Sequence, residues 1–353
     1  MRKFAHKLLI FGGGALLLLY GLAFLLDRSA IDLYTDSVFT VQFKQLLAAP
    51  AVPEALIFGN SHNRSTDFAT LGVAGYHLWQ SGQDIFETRY KIRLVMPKAV
   101  NVKTVLIAVS YFSFDQDNGV IPSRKNIRKG LYASYPPLAA AQMIDNDFAV
   151  FTQSVINQFL PLDRVMNEDS WKYFLRSALS TRISKQGKAP KVITQVSRDG
   201  NVLSQKYKTC NFLARPALID QTTLVDLPTH LEMLATMAAN RPGLRKDTYR
   251  AFTGIIEYLQ ERNVRVVFYT PPYFETYTQL YDPQIVAFMQ ASIQRLQATH
   301  QVEYYDFSVD EDFIRNNQLF NDSNHLNRCG AQLFSAKLKK VLASHRPDTA
   351  ASR

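Results

Sequence analysis

Three side chains in this sequence are of the types that acyl-transfer chemistry needs. Ser61 follows Gly59-Asn60, directly after the apolar run Ala55-Leu56-Ile57-Phe58. Near the other end, Asp322 stands three residues before His325 in Asn321-Asp322-Ser323-Asn324-His325-Leu326-Asn327. A serine hydroxyl is a poor nucleophile at its own pKa. It becomes a useful one when an imidazole lies within hydrogen-bond reach and a third group holds that imidazole in the right tautomer. In such an arrangement Ser61 is the nucleophile, His325 the general base and Asp322 the orienting carboxylate. Each residue also has a plainer use. Ser61 can cap a helix, since Ser and Asn are both favoured there, Asp322 can cap a turn, and His325 can be a surface residue. His62 can shape a pocket, bind substrate or cap.

These residues are useful only if folding brings them together, and the flanking pattern says how. Short apolar runs at 54–58, 73–79, 105–109, 264–269 and 302–307 read as strands, the central ones apolar enough to be covered on both sides. Helical spacing separates them, with Phe86, Tyr90 and Leu94 after Asp84, then Tyr249, Phe252, Ile256 and Leu259, and then Ile285, Phe288, Met289, Ile293 and Leu296. A closing helix at about 328–343 has Phe334, Leu338 and Leu342 on its apolar side and Lys337, Lys339 and Lys340 turned outward. Strands alternating with helices predict an α/β fold, a five-stranded parallel sheet in a three-layer sandwich. Ser61 then lies at the carboxyl edge of the sheet, where open α/β sheets bind ligands and where the N–H groups opening the next helix can face a developing oxyanion. Thr270-Pro271-Pro272-Tyr273 ends the fourth strand at the same edge, as a rigid turn or, through Tyr273 or Tyr277, as part of the cleft wall.

The segment Phe58-Gly59-Asn60-Ser61-His62, taken with residues 321–327 and Gly330-Ala331, resembles the SGNH (GDSL-like) hydrolases. It is most similar to the membrane-anchored branch that includes alginate acetylation proteins and the D-alanine transfer protein of teichoic acids. The resemblance implies an acyl-Ser61 intermediate and extracytoplasmic ester hydrolysis or O-acyl transfer in cell-envelope or exopolysaccharide assembly. The implied partners are an acyl donor, a glycan or small ester, and a membrane acyl-donor protein. In the family the oxyanion donors are the nucleophile's own N–H, a glycine after strand two and an asparagine after strand three. Gly82 in Gln80-Ser81-Gly82 matches the second. The third departs, because Ser110-Tyr111-Phe112-Ser113 holds no asparagine, leaving Ser110, Tyr111 or only two donors. That departure leaves open a slow transferase or a catalytically silent scaffold that binds glycan.

Composition and the chain ends supply the setting. The 353 residues are 47% hydrophobic, and 40 Lys and Arg against 30 Asp and Glu give a net charge of +10. The charge is spread along the chain, so it reads as a solvated face or as a surface for anionic polysaccharide or lipid headgroups. Nucleic acid is not expected as a partner. Arg2, Lys3 and Lys7 precede the uncharged stretch 8–26, long enough to span a bilayer with the amino end in the cytoplasm; a cleaved signal peptide is the alternative. The expected order is a cytoplasmic end at 1–7, an anchor at 8–26 and a connector at 27–53. The hydrolase-like domain follows at 54–343, carrying a partly helical insertion at 112–246, and then a tail at 344–353. Cys210 and Cys329 form a disulfide in an oxidising compartment or remain two thiols. No His/Cys cluster has metal-ligand spacing, and no cofactor is expected.

Overall fold

The computed structural model describes residues 38–49, 53–120 and 216–344, with 11–15, 17, 18, 21, 195, 196, 202, 203 and 210 besides. The chain divides into two compact units, of which residues 1–37 and 122–193 form one. Its described residues, 11–15, 17, 18 and 21, are helical. The remainder of the expected span at 8–26 lies outside the described residues, as do most of the expected insertion at 112–246 and the tail beyond Ser344. Among the described residues no helix is long and apolar enough to cross a membrane.

The second unit, residues 38–121 and 194–353, carries the sheet. Its elements are α1 (Val38–Ala48), β1 (Ala55–Gly59), α2 (Phe68–Leu71), β2 (Gly75–Trp79), α3 (Ile85–Val95) and β3 (Thr104–Ala108). Then come the two-residue strands β4 (Gln195–Val196) and β5 (Val202–Leu203), followed by α4 (Pro216–Asn240), α5 (Leu244–Gln260) and β6 (Arg265–Thr270). The chain finishes with α6 (Glu275–Leu280), α7 (Pro283–His300), β7 (Glu303–Asp306), β8 (Phe320–Asp322), β9 (His325–Leu326) and α8 (Arg328–Ser344).

The five expected strands form one sheet in the order β2-β1-β3-β6-β7, and every pairing is parallel. Alternate side chains leave opposite faces, and β6 shows where they go. Phe268 meets Phe252 of α5, at 5.6 Å between ring centroids, whereas Tyr269 meets Phe334 of α8, also at 5.6 Å. The α8 side gathers Ala55, Ile57, Leu106 and Val267 around Phe334 and Leu338. On the α5 side Phe252, Ile255, Ile256 and Leu259 are buried at helical spacing. The edge strand β7 is only half buried.

Three features refine the sequence reading. Within the 27–53 connector, Val38–Ala48 is a helix that buries Phe39, Phe43 and Leu46. It is bonded to β2 through Gln42 Nε2 to the Trp79 carbonyl (3.3 Å) and Tyr76 OH to the Gln42 carbonyl (2.8 Å). Within the 112–246 segment, α4 supplies the expected helical character. Lys337 is not simply turned outward, since it bonds Asp310 at 2.6 Å.

Cys210 and Cys329, 119 positions apart, form a disulfide with Cα atoms 5.2 Å apart. It ties the approach to α4 onto the first turn of α8. Closing a loop of that size restricts the unfolded chain, and losing such a bond costs about 2–5 kcal/mol. Cys329→Ser, or added reductant, is therefore expected to lower the melting temperature in calorimetry. An unchanged melting curve would mean that the two thiols are not joined.

Candidate active site

The turn that carries Ser61 is specified by its neighbours. Gly59 closes β1 at φ +120°, a conformation L side chains rarely adopt, and an added Cβ would stand 2.6 Å from Asn63 Nδ2. Asn60, not Ser61, is the capping residue: its Oδ1 accepts the His62 N–H at 3.1 Å. That leaves the Ser61 hydroxyl unclaimed by the backbone. The element that follows is a five-residue 3-10 turn, Ser61–Ser65, in place of the expected α-helix. Its early N–H groups are taken up locally, Asn63 N by the Asn60 carbonyl at 3.2 Å, while Ser61 N makes no hydrogen bond among the described residues.

Asn63 is fully buried and joins its own turn to two strands. Its Nδ2 donates to the Asn60 carbonyl (3.1 Å), and its Oδ1 accepts from the Ala108 N–H at the end of β3 (2.9 Å) and from Tyr269 OH on β6 (3.0 Å).

The histidine arrives on a different device. β8 and β9 form an antiparallel hairpin whose loop is Ser323-Asn324, and its register sets Asp322 opposite His325. The three-residue spacing thus becomes a cross-strand pair. Asp322 Oδ1 accepts from the Asn324 N–H at 3.2 Å and faces His325 Nδ1 at 2.8 Å. The Ser323 carbonyl accepts from Phe274 N at 2.9 Å, which pins the loop to the segment after β6. Asn327 ends the hairpin and caps α8 through the Gly330 N–H, at 3.0 Å. Close packing follows there, since a Cβ on Gly330 would lie 2.2 Å from the Leu319 carbonyl oxygen.

The two devices meet. Ser61 Oγ and His325 Nε2 are 2.8 Å apart across 264 positions. A shallow cleft lies over them, lined also by His62, Arg64, Pro271 and Pro272. The Arg64 guanidinium is stacked over the Trp79 ring at 4.9 Å.

The expected oxyanion residues sit differently from one another. Gly82 turns the chain after β2 at φ +68°. Its carbonyl accepts from Gln116 Nε2 (2.9 Å) and Asn118 Nδ2 (2.7 Å), both in the segment leaving β3. The same turn rests on a buried charged network. Lys91 Nζ donates to Gln80 and Gln83 and faces Glu87 and Asp84, and burial pushes its pKa down to about 8 against the pull of those carboxylates. Ser110 is fully buried, and its hydroxyl lies between Asn60 Nδ2 (2.9 Å) and His62 Nδ1 (2.5 Å). Tyr111 packs edge-on against Tyr273, at 5.0 Å between ring centroids. Tyr273 and Tyr277 are buried, so the rigid-turn reading of this strand end fits better than cleft lining. Tyr273 OH reaches His62 Nδ1 at 3.2 Å.

His62 was left unassigned by type and spacing; the structure puts its ring 5.1 Å from that of His325. Burial, then the neighbouring His325, hold the His62 pKa well below the usual histidine value, with Asp322 opposing and His230 and Arg64 adding to the depression. A folded-state pKa below the unfolded 6.5 means the unfolded chain binds the extra proton first. The corresponding stability is present above pH 6.5 and is lost as pH falls below it. In denaturant titrations between pH 7 and 5, His62→Gln is expected to flatten the acid loss, and an unchanged slope would count against a buried neutral His62.

Asn63→Ala should cost about 1–3 kcal/mol, because it strands the Ala108 N–H, while Tyr269 OH keeps Thr66 Oγ1 at 2.9 Å. Chemical denaturation measures this, and a change below 0.5 kcal/mol would show that the turn is held by other contacts. No protein-family model matches this chain, and no curated protein matches it, so the reading of the site rests on the geometry itself.

Proposed function

We propose that this protein is a membrane-anchored, extracytoplasmic serine esterase or O-acyltransferase of the SGNH type. The observation that carries the reading is the chain of two 2.8 Å contacts from Ser61 Oγ to His325 Nε2 and from His325 Nδ1 to Asp322 Oδ1. Ser61 Oγ attacks the ester carbonyl while its proton passes to His325 Nε2. Asp322 accepts the Nδ1–H, holds the tautomer and stabilises the imidazolium. Collapse of the tetrahedral adduct breaks the ester C–O bond, and His325 returns the proton to the departing alcohol. A second alcohol, or water, then gives its proton to His325 and takes the acyl group from Ser61, and His325 returns that proton to Ser61 Oγ. With a sugar hydroxyl as acceptor the net reaction is O-acylation, and with water it is hydrolysis.

Other features support the proposed compartment. The uncharged stretch 8–26 behind Arg2, Lys3 and Lys7 supports a single-pass anchor in a bacterial cytoplasmic membrane, with the bulk of the chain outside the cytoplasm. The Cys210–Cys329 bond favours an oxidising space. The positive surface suits an anionic envelope or exopolysaccharide, with a membrane protein delivering the acyl group.

One observation favours a second reading, a silent scaffold that binds glycan within a biosynthetic complex. Ser110, where the resembled family has an asparagine, turns its hydroxyl into the interior. Fluorophosphonate labelling of the full chain in detergent, with mass mapping of the adduct, separates the two. Labelling at Ser61 together with turnover of a small acetyl ester is expected, and Ser61→Ala should remove both. Labelling undiminished in that variant would take Ser61 out of the mechanism. Glycan binding with no turnover of any ester would favour the scaffold.

A further inference from the structure

We propose that His62 supplies the third oxyanion contact, its Nε2–H donating a hydrogen bond to the carbonyl oxygen of an ester attacked by Ser61. The inference rests on the esterase reading and adds a residue to it. It begins with the hydrogen bonds behind the ring. Asn60 Oδ1 accepts the His62 backbone N–H, which fixes the amide so that Nδ2 points at Ser110 Oγ, 2.9 Å away. An amide nitrogen can only donate, so Ser110 Oγ is an acceptor there and has its own proton left to give. His62 Nδ1 stands 2.5 Å from that oxygen and 3.2 Å from Tyr273 OH. Two hydroxyls converge on one ring nitrogen and also bond each other, and the arrangement in which Nδ1 accepts gives every hydroxyl proton a partner, with Tyr273 OH donating to Ser110 Oγ and Ser110 to Nδ1.

A neutral imidazole with Nδ1 as acceptor carries its single proton on Nε2. Burial and the adjacent His325 keep the ring neutral. Because Nδ1 is turned into the interior, the Nε2 edge is the side of the ring that remains for the cleft His62 shares with Ser61 and His325. The ring is anchored on Ser110, just after β3, and lies 5.1 Å from the ring of His325, so the serine serves as anchor and the imidazole as donor. A fixed, uncharged N–H in a desolvated site costs no reorganisation when charge develops on the substrate oxygen.

The side-chain geometry offers a test that separates catalysis from packing. Asparagine at this position reproduces a polar atom where Nδ1 lies, and glutamine one where Nε2 lies. If His62 serves only the Ser110 contact, His62→Asn should behave like the unsubstituted protein and His62→Gln should not. With the donor role, His62→Asn loses roughly 100- to 1000-fold in kcat on an acetyl ester with KM little changed, and His62→Gln recovers the larger part of that loss. Wild-type kcat in His62→Asn, or rescue by asparagine instead of glutamine, overturns the proposal. Independently of folding in the variants, nitrogen NMR of histidine-labelled full-length protein should show a protonated Nε2 and an unprotonated Nδ1 at His62, and the reverse tautomer also overturns it. Absence of ester turnover in the unsubstituted protein overturns the esterase reading itself, whereas unchanged turnover in His62→Asn removes only the role given to His62.

Discussion

A hydrogen bond between side chains 264 positions apart holds at 2.8 Å only if each partner is fixed without the other's help. The bond itself contributes only about 1 kcal/mol net, far too little to order two flexible segments. Each side therefore has its own frame. Ser61 stands on a turn whose Asn63 is bonded at once to the Asn60 cap, β3 and β6. His325 stands on a hairpin fastened to the segment after β6 by the Ser323 carbonyl and to α8 by the Asn327 cap. Both frames refer to β6, the strand next to β3, so one rigid element sets the distance between them. Ser61 follows β1 and Ser110 follows β3, on either side of the point where the sheet order reverses. That is where open α/β sheets leave a crevice.

Charge is distributed around this frame in two unlike ways. Behind the Gly82 turn, Lys91 is buried among Asp84, Glu87, Gln80 and Gln83. Removing one member of such a network leaves the others uncompensated, so the turn is strongly specified. Behind His62 the network of Asn60, Ser110 and Tyr273 consists of neutral groups alone. Each hydroxyl or amide there finds a partner without adding a net charge within reach of the nucleophile.

Much of this was legible in the sequence, and what was not has a common cause. The five strands announced themselves because central parallel strands are apolar on both faces, as Val105 to Val109 and Val266 to Phe268 are. Ser61, Asp322 and His325 were readable because each chemical role demands one of few residue types. The helix at Val38–Ala48 has Phe39, Phe43 and Leu46 at helical spacing, but it is short and stands next to the breakers Pro50 and Pro53, so its signal merges with that of a connector. The β8–β9 hairpin is too short for a period-two signal, and Ser323-Asn324 lacks the Asn-Gly signature of a two-residue turn. Asn63, Lys91 and the bond from Tyr273 to His62 were invisible for another reason. Their partners lie across the fold, and a buried lysine on a helix face has the same spelling as an exposed one.

The neutrality of His62 links these points to catalysis. Two unit charges 5.1 Å apart interact by about 3 kcal/mol at an effective dielectric constant of about 20. In the proposed mechanism, a positive charge on His62 would oppose proton uptake by His325 by that amount, at the moment it is to accept the Ser61 proton. Salt would screen little of it, because the ring is buried. A histidine beside a general-base histidine is therefore compatible with turnover only when burial and its hydrogen bonds keep it uncharged. The surroundings of His62, two hydroxyls on one nitrogen and, among the described residues, no carboxylate in hydrogen-bond contact, meet that condition. The carboxylate of Asp322 faces His325 instead, the one ring of the pair that the proposed mechanism makes a cation.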